Sequence, residues 1–81
     1  MEVYNLIKLD TSTFENRLKL ARFAKGWNCK DLATNTGISA AIISRYERGT
    51  SQPTAPVLAK LARALGVSTD YLILGVEVDK N

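Results

Sequence analysis

The 81-residue chain has no histidine, one cysteine, two prolines and one tryptophan, and nowhere a long apolar run. Without histidine there is no imidazole general base and no Cys/His metal set, and the single Cys29 cannot form an internal disulfide. No segment approaches the roughly 18 apolar residues of a membrane-spanning helix, and the opening MEVYNLIKLD lacks the basic-then-apolar layout of a signal peptide. These shortages predict a cytoplasmic protein with no metal and no cofactor. Enzyme is the weakest class, because no carboxylates and lysines pair in a recognisable catalytic pattern.

The composition that is present bounds the fold. At this length the chain can close one core and not two, and 46% hydrophobic residues is an ordinary globular content. The net charge of +3 is unevenly spread. Residues 12–51 hold Arg17, Lys19, Arg22, Lys25, Lys30, Arg45 and Arg48 against Glu15, Asp31 and Glu47, a net of +4, while the remainder is slightly acidic. Clustered positive charge suits a polyanion-binding face, although a solvated helix surface accounts for a difference of this size equally well.

Helix signals recur along residues 12–75. Ser12 and Glu15 have capping-box spacing and predict a first helix to about Lys25, with Phe14, Leu18 and Ala21 on one face and Gly26 at its end. Asn28, with Asp31 three residues on, opens a second helix that carries Leu32 and Ala33 inward and stops near Gly37. Ser39 caps a third, with Ile43 and Tyr46 on its inner side. Thr54 caps a fourth with Pro56 in its first turn and a stripe of Leu58, Leu61, Ala62 and Leu65. Ser68 opens a short fifth helix through Tyr71, Leu72 and Leu74. The expected fold is an all-α bundle of five short helices over residues 12–75, between an arm at 1–11 and a tail at 76–81. Alternating apolar residues from Val3 to Leu9 carry a weak strand signal that Val76–Val78 could pair with.

Ala33, Gly37, Ile43 and Tyr46 have helix-turn-helix spacing: a small residue where helices cross, a glycine for the turn, and large residues anchoring the second helix. That anchoring turns Ala40, Ala41, Ser44 and Arg45 outward, and small residues at the front edge let such a helix sit deep in a groove.

With these residues in place, LATNTGISAAIISRYERG and LAKLARALGVSTDYL together resemble the Cro and repressor type of helix-turn-helix regulators of temperate phages and bacterial operons, over about Phe14 to Gly75. The resemblance implies a lambda-repressor-like fold whose third helix enters the major groove of double-stranded DNA. It implies base reading by Ala40, Ala41, Ser44 and Arg45, and phosphate contacts by Asn28, Cys29, Ser39, Arg48, Thr50, Ser51 and Gln52. Glutamine is frequent in the family where this chain has Cys29, and polar residues where it has Ala40 and Ala41. Arg45 is therefore the main candidate for a directional contact, to guanine, with the alanines and Ile42 suited to thymine methyls. Arg22 and Glu47 match positions that form a partly buried ion pair in some members.

Several residues carry a plainer reading beside the sharper one. Cys29, at a first helical turn where the dipole can lower a thiol pKa, admits a redox role but is more simply a small residue. Trp27 fits a core or staple position better than a base-stacking platform. The leading expectation is a sequence-specific DNA-binding transcriptional regulator, a Cro-like or operon repressor acting as a homodimer on an inverted-repeat operator in the nucleoid, with no small-molecule ligand. The alternative is an antitoxin or adaptor that uses the same fold for protein binding.

Overall fold

Local capping chemistry decides where this chain turns. In a computed structural model that describes residues 11–76, five helices follow one another: α1 (Phe14–Ala24), α2 (Cys29–Thr36), α3 (Ala40–Arg48), α4 (Ala55–Leu65) and α5 (Thr69–Leu74). The all-α class and the five-helix order match the expectation. The strand signal at residues 3–9 and most of its partner segment lie outside the described residues.

Two caps differ from the sequence reading. Thr13, not Ser12, is the N-cap of α1, accepting from the Asn16 amide at 3.3 Å. With Thr13 as cap, Glu15 falls at the second helical position and not the third, so the capping-box spacing is lost; its carboxylate lies near Gly49, where an added Cβ would come within 2.9 Å of Glu15 Oε2. Thr54 holds the N-cap position of α4, but its side chain makes no capping hydrogen bond, and Pro56 at the second helical position offers no amide to cap. The remaining N-caps follow the sequence: Asn28 and Asp31 form a reciprocal capping box, Ser39 accepts from Ile42 at 3.2 Å, and Ser68 accepts from Tyr71 at 2.9 Å.

The centre of the core takes one large side chain from every helix. Leu18, Leu32, Ile43, Leu61 and Leu72 are each wholly buried, and Phe14, Ala21, Tyr46, Ala62 and Leu65 close around them. Burial of each such aliphatic side chain contributes about 1.5–3 kcal/mol, so no helix is dispensable to a core this small. α3 packs on α1 and α2, α2 also meets α4, and α5 closes the bundle against α1 and α4.

α5 is only six residues long, too short to persist alone. It is held by Arg17 of α1, which is 5% exposed. The guanidinium donates through Nε to the Leu72 carbonyl (3.0 Å), through Nη2 to that of Ile73 (2.9 Å) and through Nη1 to that of Thr11 (2.7 Å). A cation bound to the carbonyl end of a helix is favourable both as charge-assisted hydrogen bonding and against the helix dipole. Arg17 therefore does not belong to the polyanion-facing charge in which its sequence position had placed it. An Arg17→Met substitution, which keeps apolar bulk but strands these carbonyls, should cost about 2–4 kcal/mol in urea denaturation. A loss under about 0.5 kcal/mol, typical of a surface position, would show that the clamp contributes little.

Candidate nucleic-acid interface

The turn between α2 and α3 is built on Gly37. Its φ of +79° is a left-handed conformation that disfavours any side chain, and its amide donates to the Ala33 carbonyl at 2.8 Å to end α2. The Thr36 hydroxyl donates back to the Leu32 carbonyl at 2.8 Å and accepts from the Ile38 amide at 3.2 Å, fixing the chain as it leaves the helix. Ile38 then packs against the core and Ser39 starts α3.

Two anchors set the rotation of α3. Ile43 and Tyr46 face the core, as the spacing predicts. Glu47, the next residue, is also buried, and its carboxylate meets Arg22 of α1 in a two-pronged contact: Nε to Oε2 at 2.7 Å and Nη2 to Oε1 at 2.8 Å. Arg22 donates its third bond, from Nη1, to the Trp27 carbonyl at 2.8 Å. Hydrogen bonding to Glu47 raises the Arg22 pKa against the opposing effect of burial, so the guanidinium stays charged. This ion pair was implied by the resemblance, and the geometry makes it the joint between α1, the turn before α2, and α3.

Cys29 points at the same joint. Its thiol is half-buried and donates to Glu47 Oε1 at 3.9 Å. Burial and the adjacent Glu47 carboxylate push the thiol pKa up. That reverses the dipole-lowered pKa considered from the sequence and removes the basis for a reactive thiol. The Cys29 side chain faces inward, and the donor that this position presents outward is the main-chain amide, which the capping box does not use.

With α3 so anchored, Ala41, Ile42, Arg45 and Arg48 are exposed, while Ala40 and Ser44 are half-buried. Arg48 donates from Nη1 to the Ser44 hydroxyl one turn earlier, which aligns its head along the helix. Ser44, a candidate base reader, is thus also a support for Arg48. The Thr50 amide and hydroxyl both donate to the Arg45 carbonyl, at 3.1 and 3.2 Å, so Thr50 finishes α3 with the hydrogen that a phosphate would otherwise accept. Ser51 is half-buried and Gln52 exposed.

At the start of α2 the capping box uses the Asn28 and Asp31 amides, at 3.0 and 2.8 Å. The first-turn amides of Cys29 and Lys30 are the ones that box does not cover. The predicted positions thus fall into two groups, around the first turn of α2 and along the outer side of α3 into the following loop. Of the seven cations counted in residues 12–51, Arg17 and Arg22 are buried, leaving Lys19, Lys25, Lys30, Arg45 and Arg48 to act at the surface. The internal use of Arg17 had no side-chain signature to find, because its partners are main-chain carbonyls of a helix 55 residues away.

A short helix presenting small and cationic residues, rotated by a buried ion pair and joined through a glycine turn to a supporting helix, defines a helix-turn-helix protein. Residues 18–72 match the Helix-turn-helix family. The chain is 40% identical over 62 residues to YonR, a prophage-derived HTH-type transcriptional regulator of Bacillus subtilis, covering 76% of this chain and 57% of that protein. It is 43% identical over 60 residues to multiprotein-bridging factor 1 of Eremothecium gossypii, covering 74% of this chain and 39% of the factor. Among solved structures, the P22 c2 repressor in complex with a synthetic operator superposes with a TM-score of 0.76 at 30% identity, over 79% of this chain and 97% of that one. The chain belongs to the helix-turn-helix family of Cro and repressor type.

Two outcomes follow from the joint. Glu47→Gln, which leaves the Arg22 charge buried without a counterion, should destabilise the protein by about 3–5 kcal/mol in thermal or urea unfolding. A change below about 1 kcal/mol would mean that solvent replaces the lost charge. Second, with its pKa raised, Cys29 should react with iodoacetamide near neutral pH more slowly in the folded protein than in the urea-unfolded chain, since the thiolate is the nucleophile. Equal rates in the two states would contradict the inward placement.

Proposed function

We propose that this chain is a sequence-specific double-stranded-DNA-binding transcriptional regulator of repressor type, acting as a homodimer on an inverted-repeat operator in the bacterial cytoplasm. The observation that carries the reading is the outer edge of α3, where Ala41, Ile42 and Arg45 stand exposed on a helix fixed from behind by Ile43, Tyr46 and Glu47. Small residues at the front allow close approach to base edges, and Arg45 supplies the directional donor, with guanine as its partner. Arg48, Asn28, Ser39, Ser51, Gln52 and the main-chain amide of Cys29 position the helix on phosphates, while Thr50, whose amide and hydroxyl both serve the Arg45 carbonyl, shapes the loop that carries Ser51 and Gln52. Ser44 both steadies Arg48 and reaches toward a base.

The dimer is inferred from the size of the site and from the surface beside it. One short helix contacts only a handful of base pairs, too few to compete with genomic non-specific sites, whereas two copies on a two-fold axis double the contacts. Ile73, Leu74 and Val76 are 46%, 65% and 56% exposed in one stretch at the end of the bundle, the kind of apolar surface a partner protomer covers. A Cro-like role, with regulation through concentration and operator occupancy, fits residues 12–75 as the DNA-binding unit. No group of side chains in the described site is arranged for nucleophilic or general acid–base chemistry, and the proposed role is not enzymatic.

Likeness to multiprotein-bridging factor 1 favours a second reading, in which the fold serves as an adaptor for another protein. Salt separates the two. A DNA reader loses affinity for random duplex steeply as salt rises, through counterion release, and an adaptor binds duplex weakly at every salt concentration.

Selection of bound sequences from a random duplex pool, followed by sedimentation of the complex, tests the proposal. The expected product is a site with inverted half-sites about one helical turn apart, carrying two chains. On that site Arg45→Ala should cost about 1–3 kcal/mol and relax preference at one position per half-site. One chain per site at saturation would refute the dimer, and equal losses on selected and random duplex would move Arg45 from base reading to phosphate contact.

A further inference from the structure

The face between α2 and α4 holds a second cluster of cations that the DNA-binding reading does not use. Asn35 and Thr36, at the last turn of α2, and Lys60, Arg63 and Ala64, on α4, line an open depression of about 250 Å³. No residue of α3 contributes to it. The phosphate-contacting positions of α2 are at its first turn, so the depression lies at the far end of that helix, about 10 Å along its axis.

Lys60 and Arg63 are three apart on one helix, hence neighbours on its surface, and both are exposed. Neither has an acidic partner among the described residues, whose ion pair is Arg22 with Glu47. Two like charges side by side are mildly unfavourable to the helix, and although Arg63 in its last turn is favoured by the helix dipole, Lys60 beside it gains no such support. Nor are they needed to cap the Leu32 and Ala33 carbonyls of α2, since the Thr36 hydroxyl and the Gly37 amide already do so at 2.8 Å each. Asn35 donates one amide hydrogen to the Asp31 carbonyl at 2.9 Å, which leaves its second Nδ2 hydrogen available at the rim. The small side chain of Ala64 keeps the floor open.

We propose that this depression binds a small phosphate-bearing anion. Lys60 supplies a point charge, Arg63 a planar fork of donors and Asn35 a neutral donor, a combination suited to a tetrahedral oxyanion. The volume suits one charged group and not a drug-sized apolar ligand, for which pockets start at about 300 Å³. Occupancy would neutralise the local positive charge without touching α3, and the site departs from the sequence expectation that no small ligand is bound.

The test is a two-dimensional NMR titration of the full chain with inorganic phosphate, chloride being adjusted to hold ionic strength constant. The expected result is saturable shifts of the amides of Asn35, Thr36 and residues 60–64. In the variant with Lys60→Gln and Arg63→Gln the midpoint should rise on the order of tenfold, with an unchanged melting temperature, because both side chains are exposed. Shifts that grow linearly without saturating, or the same midpoint in the variant, would overturn the proposal. A parallel arm uses random duplex DNA: if duplex displaces phosphate from these amides and the variant loses duplex affinity, the two cations belong to the nucleic-acid interface and the separate site is refuted. If duplex leaves the phosphate shifts intact, the source of the anion is a free phosphate ester and the proposal stands whether or not α3 reads DNA.

Discussion

The Arg22–Glu47 pair is the constraint on which the rest of the arrangement depends. Its two prongs lock the last turn of α3 to the last turn of α1, and the remaining arm of Arg22 pins the Trp27 carbonyl at the entry to α2. A pair this enclosed sacrifices much of its Coulombic gain to desolvation, so its value lies less in net stability than in permitting one helix register. Were α3 to turn by a residue, Glu47 would leave its partner charged and buried. The cost of that mismatch, added to that of exposing Ile43 and Tyr46, sets which side chains of α3 face outward.

What faces outward has been stripped of competing polarity. Glu47 is neutralised inside, Arg17 and Arg22 are consumed by carbonyls and a carboxylate, and the cations left on α3 are Arg45 and Arg48. Hydrogen bonds made along the way narrow the roles of individual residues. Ser44 carries Arg48, Thr50 closes the helix end, and the Cys29 thiol turns to the ion pair, so these side chains already have partners within the protein. Helix termini and turns add main-chain amides that are already oriented and lose little entropy on binding.

The bundle that supports this edge is economical: five fully buried side chains, one per helix, meet at its centre. A core so small cannot hold a six-residue helix by apolar contact alone, and Arg17 adds three charge-assisted bonds that join α5 and the segment before α1. Beside those bonds Gly75 ends α5 in a left-handed conformation, φ +77°, that any side chain disfavours, and an added Cβ would also approach Arg17 Nη1 to 3.0 Å. Stability and the exposed apolar stretch at Ile73, Leu74 and Val76 are thus products of the same docking.

The sequence by itself determined the helices, their order and the turn at Gly37, because caps, glycines and apolar spacing act within a few residues and are written in side-chain type. It also marked the outer face of α3, since Ile43 and Tyr46 three apart leave only one side for Arg45. The choice of Thr13 over Ser12 as cap was closed to it: both are good caps by residue type, and local side-chain signals do not separate neighbouring positions at a helix start. Arg17 read as a surface charge, and Cys29 left a redox role open beside its simpler reading as a small residue. Only the tertiary structure could decide them, because the partners that bury Arg17 are main-chain carbonyls common to every residue, and the carboxylate that raises the Cys29 pKa is brought to it by packing, not by spacing.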